Sequence, residues 1–304
     1  MLKNILSKAN FLDRKHLNGS LRLCHKISKQ TKEKPPPKLA PDVVNYVNSL
    51  PEYSNIKDKI PRTLLRKYKT PESMYLINQK SAKDIVNTIQ NHINDDSPLV
   101  EVNPGFGFLS EELLKCQKKP IYMYEMSSQF ASNLTNLQEK YPGRITFKLA
   151  DFFGMWKLAF KDKLDQGNRI HELLGDLYTH DSDRVVKVIG SMPGLSFVKH
   201  LINNIIFHNA NNQLGKPDLF ITMPAHHYEF LTDNEVQFQK QRSIPALFQM
   251  LFHYKVLTTV PKVHFLPWSY KSNSKKSSLV GILNVFMQTI LFSVVNDFFV
   301  FVDG

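Results

Sequence analysis

The chain has 304 residues, 42% hydrophobic and 22% charged, with a formal net charge of +12 and only two cysteines, Cys24 and Cys116. That content suffices for one substantial α/β core and a small appendage, while two cysteines exclude a disulfide framework and fit a reducing compartment. The positive balance points to a polyanionic partner, although residues Met1–Lys34, with nine Lys/Arg against Asp13 and Glu33, carry +7 of it.

Residues 1–34 are nearly free of acids and place Leu2, Ile5, Leu6 and Ala9 on one helical face. This is the pattern of a mitochondrial transit peptide, and it sets the expected location in the mitochondrial matrix. The alternative is a basic tail that contacts nucleic acid. Residues 35–67 read as a linker, stiffened by Pro35-Pro36-Pro37, with an N-terminal helical extension. The main unit is expected over residues 68–265.

Within it, Leu99–Lys115 reads as a buried strand, a turn bearing Gly105 and Gly107, and a helix opening at Ser110-Glu111-Glu112. Glycines there let a ligand lie against bare backbone, with helix N–H groups and the positive dipole end facing it. A dinucleotide fingerprint needs a third glycine where Ser110 stands, so a nicotinamide reading is weak. Ile121–Glu125 is a second strand ending in an acid, and a carboxylate at that tip can accept both ribose hydroxyls of a nucleoside. Ile145–Phe153 is a third strand, ending at Asp151, placed for an adenine edge. Val185–Ile189 is a fourth, leading into Gly190-Ser191-Met192-Pro193-Gly194. Successive spacings of one βα unit make a parallel sheet the expected architecture. Phe160–Arg184 reads as an inserted helix and loop. His226 and His227 are expected on a strand, pointing to opposite faces, and no Cys/His spacing suits a metal.

Glu101-x-Asn103-Pro104-Gly105-x-Gly107, followed by these landmarks, resembles the rRNA adenine dimethyltransferase superfamily, and within it the mitochondrial transcription factor B branch. Met74–Asn78 resembles the family's opening segment, Phe220–Leu231 the strand after its catalytic motif, and Pro267-Trp268-Ser269 a segment of the transcription-dedicated paralogue. The likeness runs from about Tyr68 to Tyr270. It implies a class I S-adenosylmethionine-dependent methyltransferase fold, Rossmann-like, with a mostly parallel seven-stranded sheet and helices on both faces. It further implies S-adenosyl-L-methionine as cofactor, held by the backbone at Leu76, by Asn103 (in place of the usual first glycine), Gly105 and Gly107, and by Glu125 and Asp151.

The family's catalytic motif is Asn or Asp, an aliphatic residue, Pro, then an aromatic. The polar side chain and a backbone carbonyl accept from the adenine amino group, and the ring stacks on a base taken out of its helix. Here Ser191 stands for the amide, Pro193 keeps the carbonyl, and Gly194 offers no ring. Phe197 is a potential substitute. The expected function is therefore a mitochondrial transcription initiation factor, partnered by mitochondrial RNA polymerase and promoter DNA, with methyl transfer weak or lost. The alternative is dimethylation of adjacent adenines in small-subunit rRNA. Residues 266–304 are expected to be a truncated or atypical C-terminal segment, the uncharged run Ser277–Asn296 being too interrupted for a good membrane span.

Overall fold

A computed structural model describes residues 38–181, 183–206, 214–232, 243–269 and 279–287. The expectations for residues 1–34 and for the tail beyond 287 lie outside the described residues. Helix α1 (Pro41–Ser49) opens on a proline, whose missing N–H is one a first turn leaves unbonded anyway. Two short strands follow, β1 (Lys67–Tyr68) and β2 (Tyr75–Leu76). Helix α2 (Gln79–Ile93) is then capped by Asn78, whose Oδ1 accepts the Ser81 N–H at 2.8 Å.

From there strands and helices alternate: β3 (Leu99–Val102), α3 (Phe108–Cys116), β4 (Ile121–Glu125), α4 (Ala131–Lys140) and β5 (Ile145–Leu149). Helices α5 (Met155–Asp165) and α6 (Arg169–Leu174) precede β6 (Val185–Ser191), α7 (Ser196–Ile206) and β7 (Lys216–Pro224). The chain continues through α8 (Ala225–Thr232), α9 (Ser243–Leu251), β8 (Phe252–Pro261), β9 (Phe265–Leu266), β10 (Trp268–Ser269) and β11 (Leu279–Met287). The central sheet has seven strands in the order β5-β4-β3-β6-β7-β11-β8. Strands β3 to β7 pair in parallel, and β11 runs antiparallel to both β7 and β8. The expected fold class is thus the observed one.

Parallel strands joined by crossover helices are covered on both faces, so β3 is buried along its whole length. Alternation along each strand splits the core into two layers. Val100, Val102, Tyr124, Val186, Val188 and Phe197 share one layer. Leu99, Ile121, Met123, Ile189, Phe220 and Ile282 share the other, with Ile85 and Ile89 of α2. A third cluster seats α1 through Val43 and Val47 on Tyr53, Tyr75, Ile77, Phe130 and Leu266.

Two features differ from the sequence expectation. The unit drawn to end at 265 takes in β11, which fills the slot between β7 and β8, and short ladders join Tyr75–Leu76 to Phe265–Leu266 and Lys67–Tyr68 to Trp268–Ser269. No described helix is long and apolar enough to cross a membrane. Secondly, the strand expected through Leu231 stops at Pro224, and His226 and His227 lie in the first turn of α8, with their ring centroids 4.1 Å apart. They do not face opposite sides of a sheet.

Strand β11 is also tied in by charge. Lys187, buried on β6, sets its ammonium 2.8 Å from Asp95 Oδ2 and 3.4 Å from Asp218 Oδ2, and donates to the His92 carbonyl. Asn284 of β11 donates to Asp218 Oδ1 at 2.7 Å. Lys187→Met keeps the stem but leaves Asp218 without its cation. The expected loss is about 2 kcal/mol, below the roughly 3–5 of a fully buried pair because Asp95 is half exposed. Urea unfolding measures it, and a variant as stable as the parent would show that the network does not hold the sheet.

Candidate functional site

In an open α/β sheet, ligands bind beyond the carboxyl ends of strands where the strand order reverses. Here that point lies between β3 and β6, because the chain runs outward from β3 through β4 to β5 and then returns to the other side of β3. Because β3 and β6 pair with Val102 opposite Gly190, the turn Asn103–Gly107 and the segment Ser191–Gly194 emerge side by side.

The turn needs three left-handed residues. Asn103 and Gly105 both have φ of 58°, and Gly107, at 81°, is the N-cap residue of α3. Asparagine tolerates that region better than other side chains, which is how Asn103 replaces a glycine. Its N–H is bonded to the Tyr124 carbonyl at 2.8 Å, which fixes the turn to β4. Helix α3 starts at Phe108, slightly before the expected Ser110, and Ser110 itself is buried.

Glu125, at the tip of β4, is fully buried. Its Oε1 accepts the Tyr75 hydroxyl at 2.9 Å and the Ser127 N–H at 2.8 Å, and its Oε2 accepts the Gly105 N–H at 3.0 Å. Burial pushes the carboxyl above its ordinary range, and these donors offset only part of that. Asp151 is more open: its Oδ1 accepts the Gly154 N–H at 2.8 Å, and its Oδ2 lies 3.2 Å from the Lys157 ammonium. The backbone of Leu76 is committed to β9, opposite Phe265, and its side chain packs among the α2 and α3 contacts. The structure therefore gathers Asn103, Gly105, Gly107 and Glu125 into one bonded group, with Asp151 two strands along and Leu76 beside Tyr75.

On the β6 side, Ser191 is buried, and the Met192 N–H is bonded to the Thr222 carbonyl of β7 at 2.8 Å. The Pro193 carbonyl, expected to be free for a substrate amine, instead lies 2.8 Å from His227 Nε2. Burial, with a smaller push from the neighbouring His226, brings the His227 imidazole down to about 4. The ring is therefore neutral at pH 7, and its one proton sits on Nε2 and is donated to Pro193. Phe197 is fully buried, with its ring 5.0 Å from Phe153 and 6.1 Å from Phe152. It belongs to the core and does not replace the missing aromatic at Gly194, where a Cβ would meet nothing within 4 Å.

Three residues to which the sequence assigned no site role stand in or beside the site. Glu101 of β3 is buried with neither carboxylate oxygen bonded, and the nearby Ser110 hydroxyl is unbonded too. Burial drives the Glu101 carboxyl up to about 8. A charged residue inside Leu99–Val102 was a visible signal of it. Tyr75 and His227 gave none, since their partners lie 50 and 34 residues away. Among the described residues no group of three or more His, Cys, Asp or Glu could hold a metal ion.

This donor set fits a nucleoside that also carries a cationic group. Bare backbone stands at the turn, carboxylates stand at two strand tips, and the unbonded Glu101 needs donors that an ammonium supplies. The profile of the family described as "Ribosomal RNA adenine dimethylase" matches residues 66–282. The chain is 33% identical over 248 residues to a Drosophila melanogaster protein named "Dimethyladenosine transferase 2, mitochondrial", covering 78% of this chain and 54% of the relative. It thus spans about half the length of that curated relative. Similar solved structures include the 23S rRNA methyltransferase ErmE, with TM-score 0.44, 16% identity, and 71% of this chain and 70% of that one covered. A dimethyladenosine transferase from Plasmodium falciparum has TM-score 0.47 and 13% identity, with 72% and 65% covered.

Proposed function

This chain belongs to the ribosomal RNA adenine dimethylase family, and from that premise we propose that it is a mitochondrial transcription initiation factor, a methyltransferase fold used as a nucleic-acid-binding scaffold. It works with mitochondrial RNA polymerase at melted promoter DNA in the matrix nucleoid, and its methyl transfer is weak or lost. The observation that carries this reading is the segment Ser191–Gly194, where the acceptor is a short buried hydroxyl, the Pro193 carbonyl is held by His227, and no ring stands at Gly194. Base–aromatic stacking is worth roughly 1–3 kcal/mol, so its loss alone removes about 5- to 150-fold. A mitochondrial setting is supported by the name of the Drosophila relative and by the transit-like residues 1–34.

S-adenosylmethionine, the cofactor of this fold and family, supplies a methyl group on a sulfonium. The residues that would hold it are the backbone of Asn103–Gly107, Glu125 for a ribose, Asp151 for an adenine edge, and Glu101 for an amine. What this chain lacks is the means to orient the other reactant. An adenine amino group attacks well only when acceptors hold its protons and a ring fixes the base plane.

A second reading, dimethylation of adjacent adenines in small-subunit rRNA, is favoured by the intact turn and the unbonded Glu101. Methyl transfer from labelled S-adenosylmethionine to a small-subunit rRNA hairpin separates the two, run beside promoter-dependent transcription with mitochondrial RNA polymerase. The scaffold reading expects no turnover and a transcription response. Turnover by the parent without that response makes the chain a dimethyltransferase. The pair Ser191→Asn with Gly194→Tyr restores an amide, and adds a ring at a position where a Cβ meets nothing within 4 Å. It is expected to raise methyl transfer by about 10-fold or more over the parent. No gain would show that these two positions are not what limits the chemistry.

A further inference from the structure

The ring of Tyr75 lies on the bare backbone of the glycine turn. Its Cδ1 is 2.6 Å from where a Cβ on Gly105 would stand, and its hydroxyl reaches Glu125 Oε1 at 2.9 Å. Tyr75 is 1% exposed and Glu125 is 0% exposed. A carboxylate offers about four acceptor positions. Tyr75, Ser127 and Gly105 fill three of those on Glu125, and a ribose diol that chelates the group needs two. Of the three donors, the two backbone N–H groups are fixed by the turns that carry them. Only the Tyr75 hydroxyl is carried by a side chain, so it alone can be displaced without unwinding a turn, at the cost of disturbing its ring packing.

We infer that Tyr75 is an internal competitor for the ribose position, so that a nucleoside diol reaches Glu125 only by displacing the Tyr75 hydroxyl. This rests on the cofactor reading of the site proposed above. The competitor is well anchored, since the Tyr75 ring packs on Phe130 at 4.7 Å and Phe130 packs on Phe106 of the turn at 4.9 Å. The site therefore closes on itself, and residue 75 sets how strongly a nucleoside cofactor is held.

The test is calorimetric titration of the full chain with S-adenosylhomocysteine and with its 2′,3′-dideoxy analogue. Tyr75→Phe keeps the ring and its packing and removes only the competing donor. It is expected to bind S-adenosylhomocysteine about 10-fold tighter than the parent does, and to show no such gain for the dideoxy analogue. In the parent itself the two ligands are expected to bind within about 3-fold of each other, a comparison that does not depend on the variant. Equal, measurable affinity of parent and variant for S-adenosylhomocysteine overturns the competition while leaving the cofactor reading in place. So does a parent that prefers the diol about 10-fold. Failure of both proteins to bind at millimolar ligand overturns the competition together with the cofactor reading.

Discussion

Replacing Glu101 by glutamine is expected to stabilise the protein at pH 8 by about 4 kcal/mol and to change little at pH 4.5. The carboxyl is buried under α3 with neither oxygen bonded, and burial is the main force raising its proton affinity to about 8. The charge of nearby Glu125 adds to this, and the Ser110 hydroxyl offsets only part. An unfolded glutamate titrates at 4.5. Between those values the unfolded chain has released a proton that the folded chain still holds. Stability is therefore full below pH 4.5, falls as pH rises by up to about 1.4 kcal/mol per unit, and levels off above pH 8. Glutamine never ionises, so the variant lacks that slope. Thermal or urea unfolding of both proteins across pH 4.5 to 8 reads the difference directly. Parallel curves would mean that Glu101 is already ionised in the fold, and its role as an unsatisfied buried acid would fall.

Gly105→Ala is expected to cost about 3 kcal/mol. The position has φ of 58°, a region that costs an L-residue roughly 1–2 kcal/mol. The new methyl would also stand 2.6 Å from Tyr75 Cδ1. That ring cannot retreat freely, because it packs on Phe130 and its hydroxyl is bonded to Glu125. Gly194→Ala is the control: nothing lies within 4 Å of its Cβ position and it has no left-handed φ, so the expected change is within about 0.5 kcal/mol. Urea unfolding of both variants decides the matter. If Gly105→Ala proves as benign as Gly194→Ala, the turn is not held by Tyr75 as described.

Much of the scaffold was legible from the chain. The run Leu99–Val102, the glycines at 105 and 107, the acids ending Ile121–Glu125 and Leu149–Asp151, and the β-branched run at 185–189 all sit where the structure has strands and strand tips. Each of those signals acts over a few residues, through side-chain alternation and turn chemistry. β11 was not legible, because an uncharged apolar run reads equally as a buried strand, a packed helix or a membrane segment until its neighbours are known. Phe197 was ambiguous for a related reason. Helical spacing puts it on a face with Leu201, but does not say whether that face meets the core or a ligand.

The sequence by itself determined the parallel α/β architecture, the left-handed turn at Asn103–Gly107 and the loss of the amide and aromatic at Ser191 and Gly194. All three follow from residue type and local spacing. Only the tertiary structure decided which acceptors are free. Glu125 is bonded by Tyr75, the Pro193 carbonyl by His227, and Glu101 by nothing. The reason is that a buried polar group takes whichever donor the fold brings to it, and those donors here come from segments far away in the chain.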